Sequence, residues 1–153
     1  MKKITLLTYS LIVAILLSLP ACKGSSDEPK ADYTAILSKS PWKIFAQTID
    51  GTDVFSDLED CEKDDIFRFK NNGEYTVEGG VLKCNVNEPV VFAQGNWSYD
   101  SNLKILSMNE TQGNAFSGET EITELTSSSL VMECYVAING TDRKMVIKLV
   151  PAP

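Results

Sequence analysis

The chemistry open to this 153-residue chain is narrowed first by a missing side chain: it contains no histidine. A His-paired nucleophile, a His general base and an ordinary catalytic zinc site are therefore excluded. What remains is four cysteines (Cys22, Cys61, Cys84, Cys134) and an acidic run, Asp53, Asp57, Glu59, Asp60, Glu62, Asp64 and Asp65. Clustered oxygens are what calcium needs, but the spacing departs from an EF-hand loop, so the run is read as a solvated acidic surface and no metal is assigned. Paired carboxylates also hydrolyse glycosides, given a cleft and a fixed separation. G-x-S-x-G, P-loop, G-x-G-x-x-G and C-x-x-C motifs are all missing from the sequence. The expectation is a non-enzymatic protein with no catalytic residues and no cofactor.

Composition narrows the partners. With 21 acidic against 14 basic residues the net charge is −7, and no Lys/Arg cluster interrupts the acidity. A nucleic-acid role would lack its main electrostatic driving term. The apolar fraction of 43% suffices for one ordinary core.

The first residues read as an address. Met1-Lys2-Lys3 is a basic start, and Ile4 to Leu19 is an apolar stretch carrying a few hydroxyls. Residues 1–21 are predicted to be a secretory signal peptide. The competing reading is a spanning anchor, but the run is short for about 30 Å of hydrocarbon and ends in Pro20 and Ala21, with no basic stop-transfer cluster. Leu19-Pro20-Ala21-Cys22 resembles a bacterial lipobox, which implies a diacylated Cys22 as the mature N-terminus and a membrane tether that does not span. Residues 22–31 then form a flexible linker. Loss of Lys2 and Lys3 leaves a mature net charge of −9. Ser25-Ser26-Asp27-Glu28 resembles the acidic stretch that sorts Bacteroidetes lipoproteins to the outer face of the outer membrane; a plain linker fits it equally. The expected location is the outer membrane, surface-exposed or facing the periplasm.

Three thiols remain once Cys22 is acylated. Export to an oxidising compartment permits a disulfide. Cys61 follows the acidic loop and Cys84 follows Gly79-Gly80, both at punctuated strand ends, so these two are paired. Cys134, in phase with Met132 and Val136, is read as a buried free thiol, since no histidine exists to activate it.

These residues must be held by a domain spanning 32–153. Residues 32–39 have helical spacing and Pro41 stops continuation. After that the period is two. Strands are predicted at 42–49, with Trp42, Ile44 and Ala46 on one face, and at 65–70, 73–78, 90–99, 103–108, 118–125, 130–138 and 144–150. The clearest hairpin joins Phe67 and Phe69 to Tyr75 and Val77 through Asn71-Asn72-Gly73. Eight strands joined to sequence neighbours suit an all-β, antiparallel up-and-down barrel; a two-sheet sandwich would need crossing connections. Such a barrel is either filled by its own side chains or holds one small ligand. Trp42, Ile44, Phe67, Phe69, Tyr75, Val77, Trp97, Tyr99 and Met132 are the candidate ligand-lining residues, with Leu103, Ile105, Cys134 and Ile147 also predicted to face inward.

In combination, Trp42-Lys43, Cys61 to Asp65 leading into Phe67 and Phe69, Asn72-Gly73-Glu74-Tyr75, Cys84, Gly95-Asn96-Trp97-Ser98, Leu103 to Leu106, Ile122 with Leu125, and Leu130 with Met132 are distinctive. Across residues 40–150 the chain resembles the lipocalin-like domain of Bacteroidetes lipoproteins, although Ser40-Pro41 stands where that family usually has a glycine before the first tryptophan. The resemblance implies an eight-stranded barrel and a small hydrophobic ligand, with no catalytic residues. The alternative is a filled barrel whose loops, residues 50–65 and 111–118, engage a protein partner in the cell envelope.

Overall fold

A computed structural model describes residues 32–113 and 117–153. The expected signal peptide, lipidated Cys22 and linker fall on residues 1–31, outside the described residues, as do residues 114–116 of the 111–118 loop.

Asp32 caps α1 (Tyr33–Lys39), its side chain accepting from the Ala35 amide at 3.0 Å. Pro41 then turns the chain into β1 (Trp42–Ile49). At this corner the Pro41 carbonyl accepts from the Ala152 amide at 2.9 Å, tying the end of the last strand to the start of the first. β2 (Thr52–Asp53) and a one-turn helix α2 (Asp60–Lys63) follow. The remaining strands are β3 (Ile66–Phe69), β4 (Glu74–Glu78), β5 (Val91–Asp100), β6 (Ile105–Gln112), β7 (Gly118–Leu125), β8 (Leu130–Ile138) and β9 (Thr141–Pro151). Each of β3 to β9 pairs antiparallel with its sequence neighbour, and β9 returns to β1 from Trp42↔Pro151 to Ile49↔Met145. The result is the predicted closed eight-stranded barrel, with β2 as a short addition pairing with β1.

The two barrel ends differ. At the first, α1 lays Leu37 into the interior, fully buried, and the Trp42 indole N–H donates to the Leu37 carbonyl at 2.8 Å. Trp42, Phe69, Tyr75, Trp97, Leu106, Leu130 and Leu149 fill the space above it. Phe69 meets Trp97 edge-on, with ring centroids 5.4 Å apart. Across from Tyr75, a Cβ on Gly95 would lie 2.2 Å from the Asn109 carbonyl and 2.8 Å from the tyrosine ring, so glycine alone fits beside this filler.

At the second end the seam is incomplete. β1 pairs with β3 only at Trp42↔Phe67 and Lys43↔Ile66. Beyond Lys43 the two strands part, and the chain through β2 and Val54 covers the freed edge of β1, with the Gln47 carbonyl accepting from Val54 and Phe55 amides.

Two face assignments need correction. The β1–β9 register shifts between Ile44 and Ala46, so Phe45 is a bulge residue and sits exposed on the outside. The alternation therefore inverts: Ala46 leaves the inner face, and Gln47 and Ile49 take it. In β6 the inward residues are Leu106 and Met108, while Leu103 is 69% exposed and Ile105 only half-buried. Asp100 accepts from the Asn102 and Leu103 amides and Lys104 adopts φ 58°, so the turn consumes Leu103 and the strand begins one residue later in phase.

Candidate functional site

The open end is built by three segments pinned together. Cys61, on α2, is disulfide-bonded to Cys84, with Cα atoms 5.3 Å apart. Asp64 Oδ2 accepts from the Leu82 amide at 2.9 Å, and a Cβ on Gly80 would fall 2.2 Å from the Asp64 carboxyl carbon, so the loop backbone rests directly on that carboxylate. The Cys84 amide donates to Glu88 at 2.9 Å, and Gly79 donates to the Val90 carbonyl. The loop between β4 and β5 is thus fastened to α2 beside the gap between β1 and β3.

Into that gap opens a cavity of about 140 Å³, walled by Ile44, Leu58, Phe67, Val77 and Phe92, with Gln47, Glu62 and Asp65 as its polar groups. Ile49, Cys134 and Val136 are half-buried against the core. Gln47 is oriented by a bond from Nε2 to the Met145 sulfur at 3.2 Å. Burial pushes the Asp65 carboxyl up to about 7, with the Glu88, Asp64 and Glu62 charges adding to the rise. Burial also raises the Cys134 thiol, which keeps it a poor nucleophile.

Of the nine sequence candidates for ligand lining, three (Ile44, Phe67 and Val77) border this cavity. Trp42, Phe69, Tyr75, Trp97 and Met132 are packed core, and Tyr99 meets Tyr33 of α1 edge-on, with ring centroids 5.4 Å apart. The Tyr75 hydroxyl, which sequence offers as an orienting group, is held in the buried interior, where desolvation pushes its ionisation up to about 12. Gln47, Leu58, Glu62, Asp65 and Phe92 were not singled out as lining residues. Asp65 has a legible signal, since it is in phase with Phe67 and Phe69. Phe92 has none: the β4–β5 register shifts between Val77 and Glu78, placing Val77 opposite Ala93 and Glu78 opposite Val91, and Phe92 is the extra residue.

The acidic run is used locally. Asp53 accepts from the Phe55 amide, Glu62 accepts from the Glu59 amide in a capping box, and Asp60 pairs with Lys63 at 3.4 Å. Among the described residues, the group whose ligand atoms approach as a metal site would is Glu59, Cys61 and Cys84, and both of its sulfurs are spent in the disulfide.

Comparison with known proteins agrees with this architecture. A family model described as a lipocalin-like domain matches residues 40–132. Among solved structures, a DUF4847 family protein from Bacteroides vulgatus ATCC 8482 is similar, with a TM-score of 0.50 and 12% identity over 75% of this chain and 94% of that chain. That likeness speaks to the fold. No curated protein matches.

Proposed function

The chain belongs to the lipocalin-like domain family, and on that premise we propose that it is a non-catalytic binding protein that takes a small hydrophobic molecule into the open end of its barrel. The observation that carries this reading is the cavity beside the β1–β3 gap, whose apolar walls are left unfilled while the other end is packed. At about 140 Å³ it is smaller than the roughly 300 Å³ or more typical of drug-sized ligands, and close to the volume that holds one benzene ring. The ligand is therefore a single ring or short chain, or the apolar end of something longer. In the same reading, a lipid on Cys22 holds the mature protein at the outer membrane, on its periplasmic or outward face.

Native mass spectrometry of residues 23–153, purified from source cell envelopes without added lipid, tests this. A stoichiometric small molecule released on denaturation supports it. A ligand-free mass, with no thermal shift against a library of small apolar compounds, contradicts it.

A second reading has its own observation. The disulfide-held loop exposes Val81 (94%), Val86 (96%) and, less fully, Leu82 and Val90. Apolar exposure concentrated on one loop is typical of a protein-docking surface. It falls on residues 81–90, outside the two loops, 50–65 and 111–118, that sequence reasoning offered for a cell-envelope partner.

A further inference from the structure

The cavity at the open end combines apolar walls with a carboxylate that has no ion-pair partner within 4.0 Å among the described residues. Asp65 lines it beside Phe67 and Phe92. Among the described residues, its Oδ1 is buried without a hydrogen-bond donor. A carboxylate so placed is costly unless a proton or a cation accompanies it.

The surroundings favour a cation. Glu62 and Asp64, from α2 and the residue that ends it, and Glu88, from the β4–β5 loop, all add negative potential at Asp65, and Lys83 on the same loop is the one opposing charge. β1, β4 and β5 contribute only the uncharged Ile44, Gln47, Val77 and Phe92 to the walls. A divalent ion would need six or more oxygens, whereas Asp64 Oδ2 is taken by the Leu82 amide and Glu62 Oε2 by the Glu59 amide, which leaves Asp64 Oδ1, buried without a donor like Asp65 Oδ1, and too few carboxylate oxygens beside it. A monovalent ammonium needs one carboxylate, and the apolar walls suit the hydrocarbon that carries it.

We propose that the cavity binds a protonated primary amine on a small apolar body, with the ammonium on Asp65 and the hydrocarbon against the Phe67 and Phe92 walls. This rests on the ligand-binding reading above and names its ligand class. The same charges exclude carboxylate amphiphiles, because a second anion would enter a field already negative. No covalent chemistry is involved. Binding draws on the ionised form of Asp65, so the amine displaces a proton from the carboxyl wherever that proton is still held.

The test is calorimetric titration of residues 23–153, which contain the whole compact unit Asp32–Pro153, with three matched probes: benzylammonium, benzyl alcohol and benzoate. At pH 8 benzylammonium is expected to bind at least about tenfold tighter than benzyl alcohol, with benzoate weakest. Asp65→Asn is expected to bring the amine to the level of the alcohol and leave the alcohol unchanged. With wild-type protein, amine affinity should rise about tenfold or more between pH 5.5 and pH 8.5 as Asp65 ionises, while that of the alcohol stays flat; this arm needs no variant to fold. Equal binding of amine and alcohol, or a pH-independent amine affinity, overturns the ligand class and leaves the binding reading standing. Calcium binding that is lost in Asp65→Asn, with no preference for the amine, overturns it in favour of a metal. Failure of all three probes at every pH overturns both the class and the reading beneath it.

Discussion

The two ends of one barrel, made of the same eight strands, are treated differently. At the α1 end, Leu37, Trp42, Phe69, Tyr75, Trp97, Leu106, Leu130 and Leu149 pack into one buried cluster, with Gly95 leaving room beside Tyr75, and the indoles of Trp42 and Trp97 are further fixed by bonds to the Leu37 and Lys70 carbonyls. At the opposite end, β1 leaves β3 after two residue pairs, the bulges at Phe45 and Phe92 shift the inward alternation around the cavity, and a disulfide substitutes for the missing sheet contacts. A cavity and a carboxylate with a buried, unbonded oxygen sit there. On the proposed binding reading, a small barrel keeps stability and function apart: packing that specifies the fold is concentrated at one end, leaving the other free to stay incompletely filled.

That contrast is breakable. Its largest expected effect is at the packed end, where Trp42→Ala removes a fully buried indole and its hydrogen bond and should destabilise by about 3–5 kcal/mol in urea denaturation. Replacing both Cys61 and Cys84 by serine opens a crosslink between residues 23 apart in sequence and should cost about 3 kcal/mol. Hydrogen exchange should then rise in α2 and residues 79–90 while β8 and β9 stay protected.

Asp65 supplies a smaller effect with a definite sign. Its folded-state value, about 7, lies above the unfolded carboxylate range, so the unfolded chain releases this proton first. Stability should fall as pH rises from about 4 to 7 and then level off. After discounting for partial solvent access, the loss is about 1–2 kcal/mol. Asp65→Asn should flatten that slope, read from denaturation midpoints at pH 5 and pH 8. Smallest of all, Phe92→Ala at the half-buried rim should cost about 1 kcal/mol or less. Should Phe92→Ala prove as damaging as Trp42→Ala, the division between the two ends is wrong.

Much of the scaffold is legible in the chain. Asn71-Asn72-Gly73 announces the β3–β4 turn, where Gly73 takes φ 84°, and Asn139-Gly140 announces the β8–β9 turn with both residues at positive φ. The Asp32 cap and the Pro41 stop bracket α1, and the cysteine context identifies the bridge. The site is harder to read because it depends on single-residue irregularities. One extra residue at Phe45 turns Gln47 inward, and another at Phe92 adds a wall to the cavity, yet nothing in either local pattern distinguishes a bulge from regular strand. Aromatic residues are also ambiguous by type: whether Trp97 lines a cup or fills it depends on what faces it across the barrel, which period-two reading does not contain. Asp65 illustrates the opposite case. Its phase with Phe67 and Phe69 is visible, but the acidic residues around it make it read as surface.

The most direct test of the central claim is a methyl-detected NMR titration of residues 23–153 with benzyl alcohol, a neutral probe of one-ring size. Saturable shifts are expected at Ile44 and Val77, which wall the cavity, with Leu106, Leu130 and Leu149 of the packed end unmoved. Absence of saturable shifts, or shifts confined to exposed Val81 and Val86, would contradict it and move the site from the barrel mouth to the loop surface.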